Sequence, residues 1–570
     1  MLTTKTMIAD AVIQCVATMK ADHELDTATV VSMLEYPPDS KMGDLALPCF
    51  KLSKSMRMAP VKIAQTIADG LCAPCVAKAE AVNGYLNIFL DGKYLASHVI
   101  PEVIEKGERY GAPNLGKGKT VVLDYSSPNV AKPFHIGHLG TTVIGHALKR
   151  LHEFAGYQCV GINHLGDWGT QFGKLITAYT RWGNRELIEA GGIDKLVELY
   201  VRFHEEAEKD PALNDEARLQ FHKLEEGDAE NTALWKWFVD ISLKEYQKTY
   251  GQLGIEFDSY KGEAFYTDKM PAQVQKLRDE GLLKLDDGAS IVDLEAYGMP
   301  PCLILKRDGS TLYPTRDIAA AVYRKETYDF DKCIYVTSAG QSLHFAQWFK
   351  VVELMGYDWS EKLVHVPYGT VSINGEKLAT RTGNVILLRD LFALAIEKVT
   401  AIMEEKNPDI ADKDAIAEAV GVGAVVFYYL SNNRIRDINF VMEDALSFDG
   451  NTGPYVQYTY ARTCSVLGKS QDYTVPTELI VSDENETELV KAISRFEETV
   501  RDAIDAYEPS IVTRYILDVA GAYNRFYHNC SILGAENEQI RNTRLALTEA
   551  AKTVLGNAFG LICLKKTEKI

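Results

Sequence analysis

The sequence predicts an α/β protein built around a mainly parallel sheet, with an N-terminal α+β module before it and a C-terminal all-α helical bundle after it. Short apolar or β-branched runs alternate with helical segments from Thr120 onward, which is typical of α/β domains. Apolar residues then recur every three to four positions in the last third of the chain. The 570 residues, 46% hydrophobic and 25% charged, have the composition of a folded protein of roughly four domains.

Residues 1–118 form the first predicted unit. Thr6–Met19 has a helical pattern, Gly43–Leu52 is an apolar stretch and Gly84–Leu90 is a predicted strand. The segment Gly111–Lys119 is rich in glycine and proline, which is typical of a linker. We therefore place the first domain boundary at residue 118.

Residues 119–395 form the second predicted unit, in which strands alternate with helices. Its predicted strands are Thr120–Tyr125, Cys159–Asn163, Cys302–Leu305, Lys332–Val336 and Val364–Thr370. This alternation favours a mainly parallel sheet. A charged helical stretch at about 180–260 is interpreted as an insertion whose charges lie on solvated helix faces.

The remaining chain is predicted to be helical. Residues 396–448 are interpreted as a connecting stem and residues 449–570 as the C-terminal bundle. Two apolar stripes at helical spacing support the bundle: Leu489, Ile493, Phe496, Val500 and Ile504, then Val512, Tyr515, Val519, Tyr523 and Phe526.

Charge and cysteine content narrow the class of protein further. The chain has 61 Lys+Arg against 79 Asp+Glu, a net charge of −18, so any RNA partner requires basic groups gathered on one surface. No run approaches the roughly eighteen apolar residues of a membrane span, so we expect no membrane partner. The ten scattered cysteines, with no signal sequence before them, indicate reduced thiols. We therefore predict a cytoplasmic protein.

The most informative segment is DYSSPNVAKPFHIGHL, from Asp124 to Leu139. It lies between a predicted strand and a predicted helix, at the sheet edge where open α/β sheets bind ligands. His135 and His138 stand at the helix start, where free N–H groups attract anions, and Gly137 permits close approach. Helix-capping histidines and a zinc site are the alternatives, although no further zinc ligand stands nearby. The strand–loop–helix context favours phosphate binding.

A second segment, GEKLATRTGN from Gly375 to Asn384, follows a strand-like run. Its glycines flank Lys377 and Arg381, so the loop can close cations over a polyphosphate and neutralise the charge that develops as pyrophosphate leaves. Basic residues in such loops usually face solvent. Taken alone, this segment leaves both interpretations open.

Together the two segments resemble the HIGH and KMSK motifs of class I aminoacyl-tRNA synthetases. Four ordered strings narrow the resemblance to the arginyl-tRNA synthetase family: SPNVAKPFHIGH (127–138), NHLGDWGTQFG (163–173), YPTRDIAAA (313–321) and DGNTGPYVQY (449–458). The resemblance extends from near residue 40 to the C-terminus. The HIGH-like tetrad alone also occurs in small nucleotidyltransferases, so the assignment depends on the longer strings.

The resemblance implies a Rossmann-type catalytic domain and a two-step reaction. Arginine and ATP give arginyl-adenylate and pyrophosphate, and the arginyl group then moves to the terminal adenosine of tRNA-Arg. The family generally needs its tRNA even for the first step. Mg²⁺ is expected to arrive with ATP, with no organic cofactor and no protein-built metal site. We expect a monomer. Two other hypotheses are an inactive tRNA-binding regulatory paralogue and a small-molecule adenylyltransferase.

The resemblance also implies residues that bind arginine. Ser127 and Asn129 match positions that hold its backbone groups, with Asp124 near the α-ammonium group. The matching positions for the side chain are Tyr313, Asp317 and Gln341. A carboxylate suits the planar guanidinium fork, and an aromatic ring can pack on its face. Without the resemblance, Asp317 beside Arg316 would be interpreted as a helix-start carboxylate in a local ion pair.

One departure from the family pattern concerns the phosphate clamp. His135, Gly137 and His138 match ATP-binding positions, but the KMSK-type loop has Lys377 and then Thr380 in place of the second lysine. Lys132 matches a position thought to take over this role, and Arg381 is the second candidate. We expect Lys132 and Lys377 to clamp the phosphates together.

The end modules are predicted to bind tRNA. By resemblance, Asn87 and Phe89 lie in a module that touches the outer corner of the tRNA, although Phe89 can equally be a core residue. In the bundle, Tyr455, Tyr458 and Arg462 are candidates for stacking and phosphate contacts. Arg436 lies before the bundle in a short basic run that would concentrate positive charge.

Overall fold

The computed structural model describes residues 1–19, 24–373, 376–377, 386–470 and 472–570. The N-terminal module combines a three-stranded antiparallel sheet with five helices. Its elements are α1 (Leu2–Met19), α2 (Thr27–Met33), β1 (Leu45–Pro48), α3 (Phe50–Met56), α4 (Pro60–Gly70), β2 (Val76–Val82), β3 (Tyr85–Leu90) and α5 (Gly92–Lys106). The strand order is β1–β3–β2. The predicted helix at 6–19 and strand at 84–90 are confirmed.

The first half of the middle region contains two strands and the predicted helical insertion. Its elements are β4 (Thr120–Asp124), α6 (Leu139–Phe154), β5 (Gln158–Ile162), α7 (Thr170–Trp182), α8 (Arg185–Gly191), α9 (Ile193–Lys209), α10 (Ala212–Glu225), α11 (Ala229–Leu253) and α12 (Met270–Asp279). Helices α8–α11 fill the stretch that was interpreted as an insertion. Their apolar faces, with that of α7, enclose a core of their own.

The second half completes the sheet and leads into the stem. Its elements are β6 (Leu283–Asp286), β7 (Ala289–Val292), β8 (Cys302–Leu305), α13 (Tyr313–Tyr328), β9 (Lys332–Ser338), α14 (Ser342–Leu354), β10 (Leu363–Tyr368), β11 (Val371–Ile373), β12 (Glu376–Lys377), α15 (Leu388–Lys406), α16 (Lys413–Leu430), β13 (Ile438–Phe440) and α17 (Met442–Ala445).

The main sheet is parallel, with the strand order β10–β9–β4–β5. The chain leaves β4 towards β5 on one side and later returns to pair β9 with the other side of β4. The carboxyl ends of β4 and β9 therefore form a topological switch point, which is where open α/β sheets bind ligands.

One predicted strand lies outside this sheet. Cys302–Leu305 forms β8 and pairs antiparallel with β7 in a separate sheet, β6–β7–β8, so its assignment to the parallel sheet was wrong. The turn between β6 and β7 has positive φ at Asp287 (46°) and Gly288 (81°), as in tight hairpin turns. Local antiparallel pairing after this hairpin therefore determines the sheet to which β8 belongs. The other four predicted strands are confirmed.

The C-terminal bundle consists of α18 (Gly453–Gly468), α19 (Glu484–Ser494), α20 (Phe496–Asp505), α21 (Ser510–Asn529) and α22 (Glu538–Leu561). All ten residues of the two predicted stripes are buried. The first stripe spans two helices, because α19 ends before Arg495 and α20 begins after it. The spacing predicted the buried face correctly but missed this break.

The two ends of the chain are in contact. Helix α5 packs on α19 and α22, and one apolar core extends from the N-terminal module through α6 into the bundle. Lys5 pairs with Glu498, and the Nζ atom of Lys491 lies 2.7 Å from Oδ1 of Asp44. Among the helices of the described ranges, none is long and apolar enough to cross a membrane.

Candidate active site

The loop after β4 has an unusual backbone conformation. Ser126, Ser127 and Ala131 have positive φ values of 70°, 47° and 59°, which side chains other than glycine seldom adopt. Such strain persists only where surrounding contacts enforce it, and it is concentrated at functional sites. The loop therefore depends on its neighbours for its shape.

A buried arginine fixes the start of this loop. Arg324 of α13 is 1% exposed, and its Nη2 atom lies 2.7 Å from Oδ2 of Asp124 and 3.3 Å from Nδ1 of His164. Ser127 donates to Oδ1 of Asp124 at 2.9 Å, and its Oγ accepts the amide of His164 at 3.1 Å. Asp124 is thus already paired before any ligand binds. Arg324 and His164 were not predicted, because neither stands out in its own segment.

Asn129 is positioned against the loop that follows β5. The two loops form a short parallel bridge, in which Val130 donates to the carbonyl of Gly166 at 3.1 Å and Gly166 donates to that of Pro128 at 3.1 Å. A Cβ atom on Gly166 would lie 2.2 Å from Oδ1 of Asn129. Glycine is therefore required here for the close approach of the exposed Asn129 side chain.

His135 and His138 cap the turn that precedes α6. Nδ1 of His135 accepts the amide of Gly137 at 3.1 Å, and Nδ1 of His138 accepts the amide of His135 at 3.2 Å. Since each Nδ1 is an acceptor, a neutral ring carries its proton on Nε2. Burial lowers the pKa of His138 to about 3 and lowers that of His135, and the nearby Lys132 charge acts in the same direction.

The capping interpretation of the histidine pair is therefore correct, and it is compatible with phosphate binding. Both rings are neutral near pH 7 and keep an N–H donor on Nε2. His138 also lines a cleft of about 540 Å³ at the switch point. The zinc alternative finds no support, because the described part of the chain has no group of three or more His, Cys, Asp or Glu side chains able to hold a metal ion.

The segment before α15 lies beside the histidine pair. Ile136 donates to the carbonyl of Ile386 at 3.1 Å, and Leu388 donates to that of Phe134 at 2.9 Å. The loop predicted to hold the phosphate clamp directly precedes this segment in the sequence. Thr380, Arg381 and the Lys377 side chain lie outside the described residues.

The predicted arginine pocket is rich in charge. Tyr313, Asp317 and Gln341 line the same cleft as Asp124 and Asn129. Oδ2 of Asp317 lies 2.6 Å from Nε2 of His344, while Tyr313 is 67% exposed at the rim. Asp317 thus pairs with a histidine of α14, and the local pair with Arg316 is not formed.

Glu263 is a further carboxylate in this cleft that the sequence did not reveal. Nη1 of Arg316 lies 3.1 Å from its Oε2 atom, and both side chains are mostly buried. Burial raises the pKa of Glu263 to about 7, helped by the negative charges of Asp167 and Asp317 and opposed by Arg316. The cations next to the cleft therefore do not keep all of its carboxyl groups fully ionised near pH 7. A cationic ligand in the cleft would favour their ionised form.

The residues predicted to bind tRNA in the bundle and the stem differ in exposure. The guanidinium carbon of Arg462 lies 5.0 Å from the ring centroid of Tyr458 and 4.8 Å from that of Tyr527. Tyr458 and Tyr527 are 43% and 39% exposed. Tyr455 is half-buried and its hydroxyl accepts from Asn524 at 3.0 Å, whereas Arg436 is exposed in the stem. Tyr527 was not predicted, because α21 gave only an apolar stripe.

The candidates of the N-terminal module are less accessible. Asn87 is buried at 8% exposure, and Phe89 is half-buried with Nζ of Lys78 5.2 Å from its ring centroid. Two aromatic residues of the same module, Phe50 and Tyr85, are exposed and pack edge to face at 5.1 Å.

The fold around this switch point is that of a class I synthetase catalytic domain. Residues 99–442 match the family model "tRNA synthetases class I (R), catalytic domain". Residues 456–570 match the DALR anticodon binding domain, and residues 3–90 match the arginyl tRNA synthetase N terminal domain.

Similar proteins identify which family of class I synthetases this chain resembles. The arginine–tRNA ligase of Alkaliphilus metalliredigens is 50% identical over 95% of this chain and 96% of its own length. That of Clostridium beijerinckii is 49% identical over 97% and 98%. The solved Thermus thermophilus arginyl-tRNA synthetase has a TM-score of 0.83 at 25% identity, covering 98% of this chain and 99% of that one. This chain belongs to the arginine–tRNA ligase family.

Proposed function

We propose that this chain is an active arginine:tRNA ligase. The carboxylate of arginine attacks the α-phosphate of ATP and pyrophosphate leaves. A ribose hydroxyl of the 3′ adenosine of tRNA-Arg then attacks the arginyl carbonyl of the adenylate, and AMP leaves. The observation that carries the proposal is one cleft, lined by the carboxyl groups of Asp124 and Asp317 and, at its other side, by the neutral, N–H-donating His138 of the histidine pair. The carboxylates suit a guanidinium group and the histidines suit phosphate.

The phosphate side of the cleft is assigned to six residues: Lys132, His135, Gly137, His138, Lys377 and Arg381. The two histidines, being neutral, donate hydrogen bonds from Nε2 to phosphate oxygens and add no charge that would change with pH near neutrality. Lys132 and Lys377 then supply the positive charge that the leaving pyrophosphate needs. Mg²⁺ would enter with the nucleotide and neutralise its oxygens.

The arginine side is assigned to Asp124, Ser127, Asn129, Tyr313, Asp317 and Gln341. Asp317 presents its second oxygen to the guanidinium group while His344 holds the first. Asp124, held by Arg324, faces the α-ammonium group. Discrimination against lysine follows from shape, because an ammonium group is a compact point charge without the planar fork of N–H donors that a guanidinium group carries.

The tRNA side is assigned to Asn87, Phe89, Arg436, Tyr455, Tyr458 and Arg462. The division of labour follows the predicted units: tRNA contact by 1–118, catalysis by 119–395, a stem at 396–448 and anticodon binding by 449–570. We further propose a cytoplasmic monomer.

The test is arginine-dependent exchange of pyrophosphate into ATP, with and without tRNA-Arg. Lysine and citrulline serve as controls, because lysine keeps the positive charge and citrulline keeps the planar shape. Exchange that occurs with arginine but with neither control, and only when tRNA-Arg is present, supports both the ligase function and its coupling to tRNA. Exchange without tRNA keeps the ligase but contradicts the coupling. No exchange under any condition, with tRNA still bound, would favour an inactive paralogue.

A further inference from the structure

Helix α11 of the insertion carries three buried hydroxyl groups on one face. Ser242, Tyr246 and Tyr250 are four residues apart, so they lie along a single stripe, and each is at most 1% exposed. Buried hydroxyl groups are costly unless they are hydrogen-bonded. All three bond to the loop after β4 or to its immediate support.

The contacts of this stripe fall on the strained part of the loop. Oγ of Ser242 accepts the amide of Ala131 at 3.0 Å, where φ is positive. The hydroxyl of Tyr246 lies 2.7 Å from the carbonyl oxygen of Lys132 and 2.8 Å from that of Asn129, so it donates a bond that the two share. Tyr250 lies 2.7 Å from Oγ of Ser126, the first strained residue.

The same helix also holds the other side of the phosphate site. Glu245, next to Tyr246, accepts from Nη1 of Arg389 at 3.0 Å, and Nη2 of Arg389 lies 2.8 Å from Asp194 of α9. Arg389 directly follows Leu388, which pairs with the backbone at Phe134. Helix α11 therefore braces both backbone segments that flank the histidine pair.

We propose that Tyr246 is a positioning residue for adenylate formation, which it serves by fixing the main chain of Lys132 and so the reach of the Lys132 ammonium group. The inference rests on the proposed function of Lys132. Removing the hydroxyl leaves two carbonyl oxygens without their donor, while the ring keeps its packing. The loop then relaxes at its strained residues, and the main chain that carries the exposed Lys132 side chain shifts relative to the histidine pair.

The test is a double-mutant cycle in the full chain, read by arginine-dependent pyrophosphate exchange at saturating tRNA. We expect Tyr246→Phe to lower kcat by about tenfold, the effect of one lost buried hydrogen bond, with the KM for tRNA unchanged. In a Lys132→Ala background the same change should cost less than about threefold, because coupled residues are not additive. Another tenfold loss there, or an unchanged kcat in Tyr246→Phe alone, would overturn the proposal.

Two further variants keep the test decisive. Ser242→Ala makes a smaller change at Ala131, and it should show the same non-additivity with Lys132→Ala even where Tyr246→Phe folds poorly. The Tyr250 hydroxyl bonds to Ser126 rather than to Lys132, so the effect of Tyr250→Phe should add to that of Lys132→Ala. Failure of the wild type to exchange refutes the proposed function, and a near-normal Lys132→Ala refutes the proposed role of Lys132. Additivity of Tyr246→Phe with Lys132→Ala, or of Ser242→Ala where Tyr246→Phe folds poorly, refutes this inference alone.

Discussion

The catalytic cleft and the outer surface of the bundle hold their candidate residues in opposite ways. In the cleft, Asp124 and Asp317 are paired at 2.7 Å and 2.6 Å with side chains of α13 and α14 before a substrate arrives. On the bundle, Arg462 donates to Asn524, but the rings of Tyr458 and Tyr527 that it contacts are exposed. Charge that develops during a reaction needs fixed partners, whereas an unpaired base needs only an accessible planar surface. We therefore expect large, rate-specific effects in the cleft and smaller, binding-specific effects on the bundle.

The largest effect is expected at Lys132. Lys132→Ala removes one of the two lysines proposed to clamp the phosphates, which should raise the activation barrier by about 3 kcal/mol and slow exchange about a hundredfold or more. Lys244→Ala is the matched control, since Lys244 is an exposed lysine of α11 that pairs with Asp240. Its exchange rate should stay close to that of the wild type. A Lys132→Ala enzyme that activates arginine at nearly the normal rate would contradict the two-lysine clamp.

The next effect concerns the buried acid of the cleft. The folded protein raises the pKa of Glu263 to about 7, so between pH 4.5 and 7 it holds a proton that the unfolded chain has released. Stability from this group therefore falls as the pH rises through that window. The free energy of unfolding of Glu263→Gln, minus that of the wild type, should rise by on the order of 2–3 kcal/mol from pH 5 to pH 8, measured by urea unfolding.

Comparing Glu263→Gln with the wild type separates the effect of Glu263 from that of buried histidines, whose contribution to stability changes with pH in the opposite direction. Burial lowers the pKa of His138 and of His146 to about 3, so their contribution to stability rises with pH between about 3 and 6.5. Glu186→Gln, at an exposed glutamate of α8, should give a curve parallel to that of the wild type. Parallel curves for Glu263→Gln as well would show that its carboxyl group is not held protonated.

The sequence predicted whatever depends on local pattern. The helical stripes, four strands of the parallel sheet and the position of His135 at a helix start all follow from periodicity and spacing. The pairing of Cys302–Leu305 does not, because an apolar run of four residues fits either sheet and the hairpin at Gly288 decides between them. Residue types alone can indicate which residues form a site, but the order of the strands in the sheet decides where that site lies.

The cleft was predicted only where a motif marked it. Glu263 lies in a short turn and His344 in an apolar helix, and neither segment carries a pattern of its own. Their roles arise from contacts with Arg316 and Asp317 across the fold. The buried Arg324 likewise reads as one more charged helix residue until its pairing with Asp124 is seen. Long-range pairing is what the sequence could not supply.

On the bundle, Tyr458→Ala should mainly weaken tRNA binding. Stacking on one base contributes about 1–3 kcal/mol, so we expect the KM for tRNA to rise about tenfold while exchange at saturating tRNA keeps its rate. Tyr297→Ala is the control, since Tyr297 is 47% exposed and also lies under a lysine. Equal effects in both variants would show that Tyr458 contributes only surface packing. A fall in the saturated rate would remove the contrast with the cleft.

The smallest expected effect separates stacking from charge at Arg462. Arg462→Lys keeps the charge but loses the planar group between the two rings, and such cation–π contacts contribute about 0.5–1 kcal/mol at exposed sites. The KM for tRNA should therefore rise about threefold. Because the charge remains, the dependence of tRNA affinity on salt should keep the wild-type slope, whereas Arg462→Ala should flatten it if Arg462 meets a phosphate. A flattened slope in Arg462→Lys would show that the guanidinium group contacts phosphate directly, so that the bundle, like the cleft, relies on a fixed charge geometry.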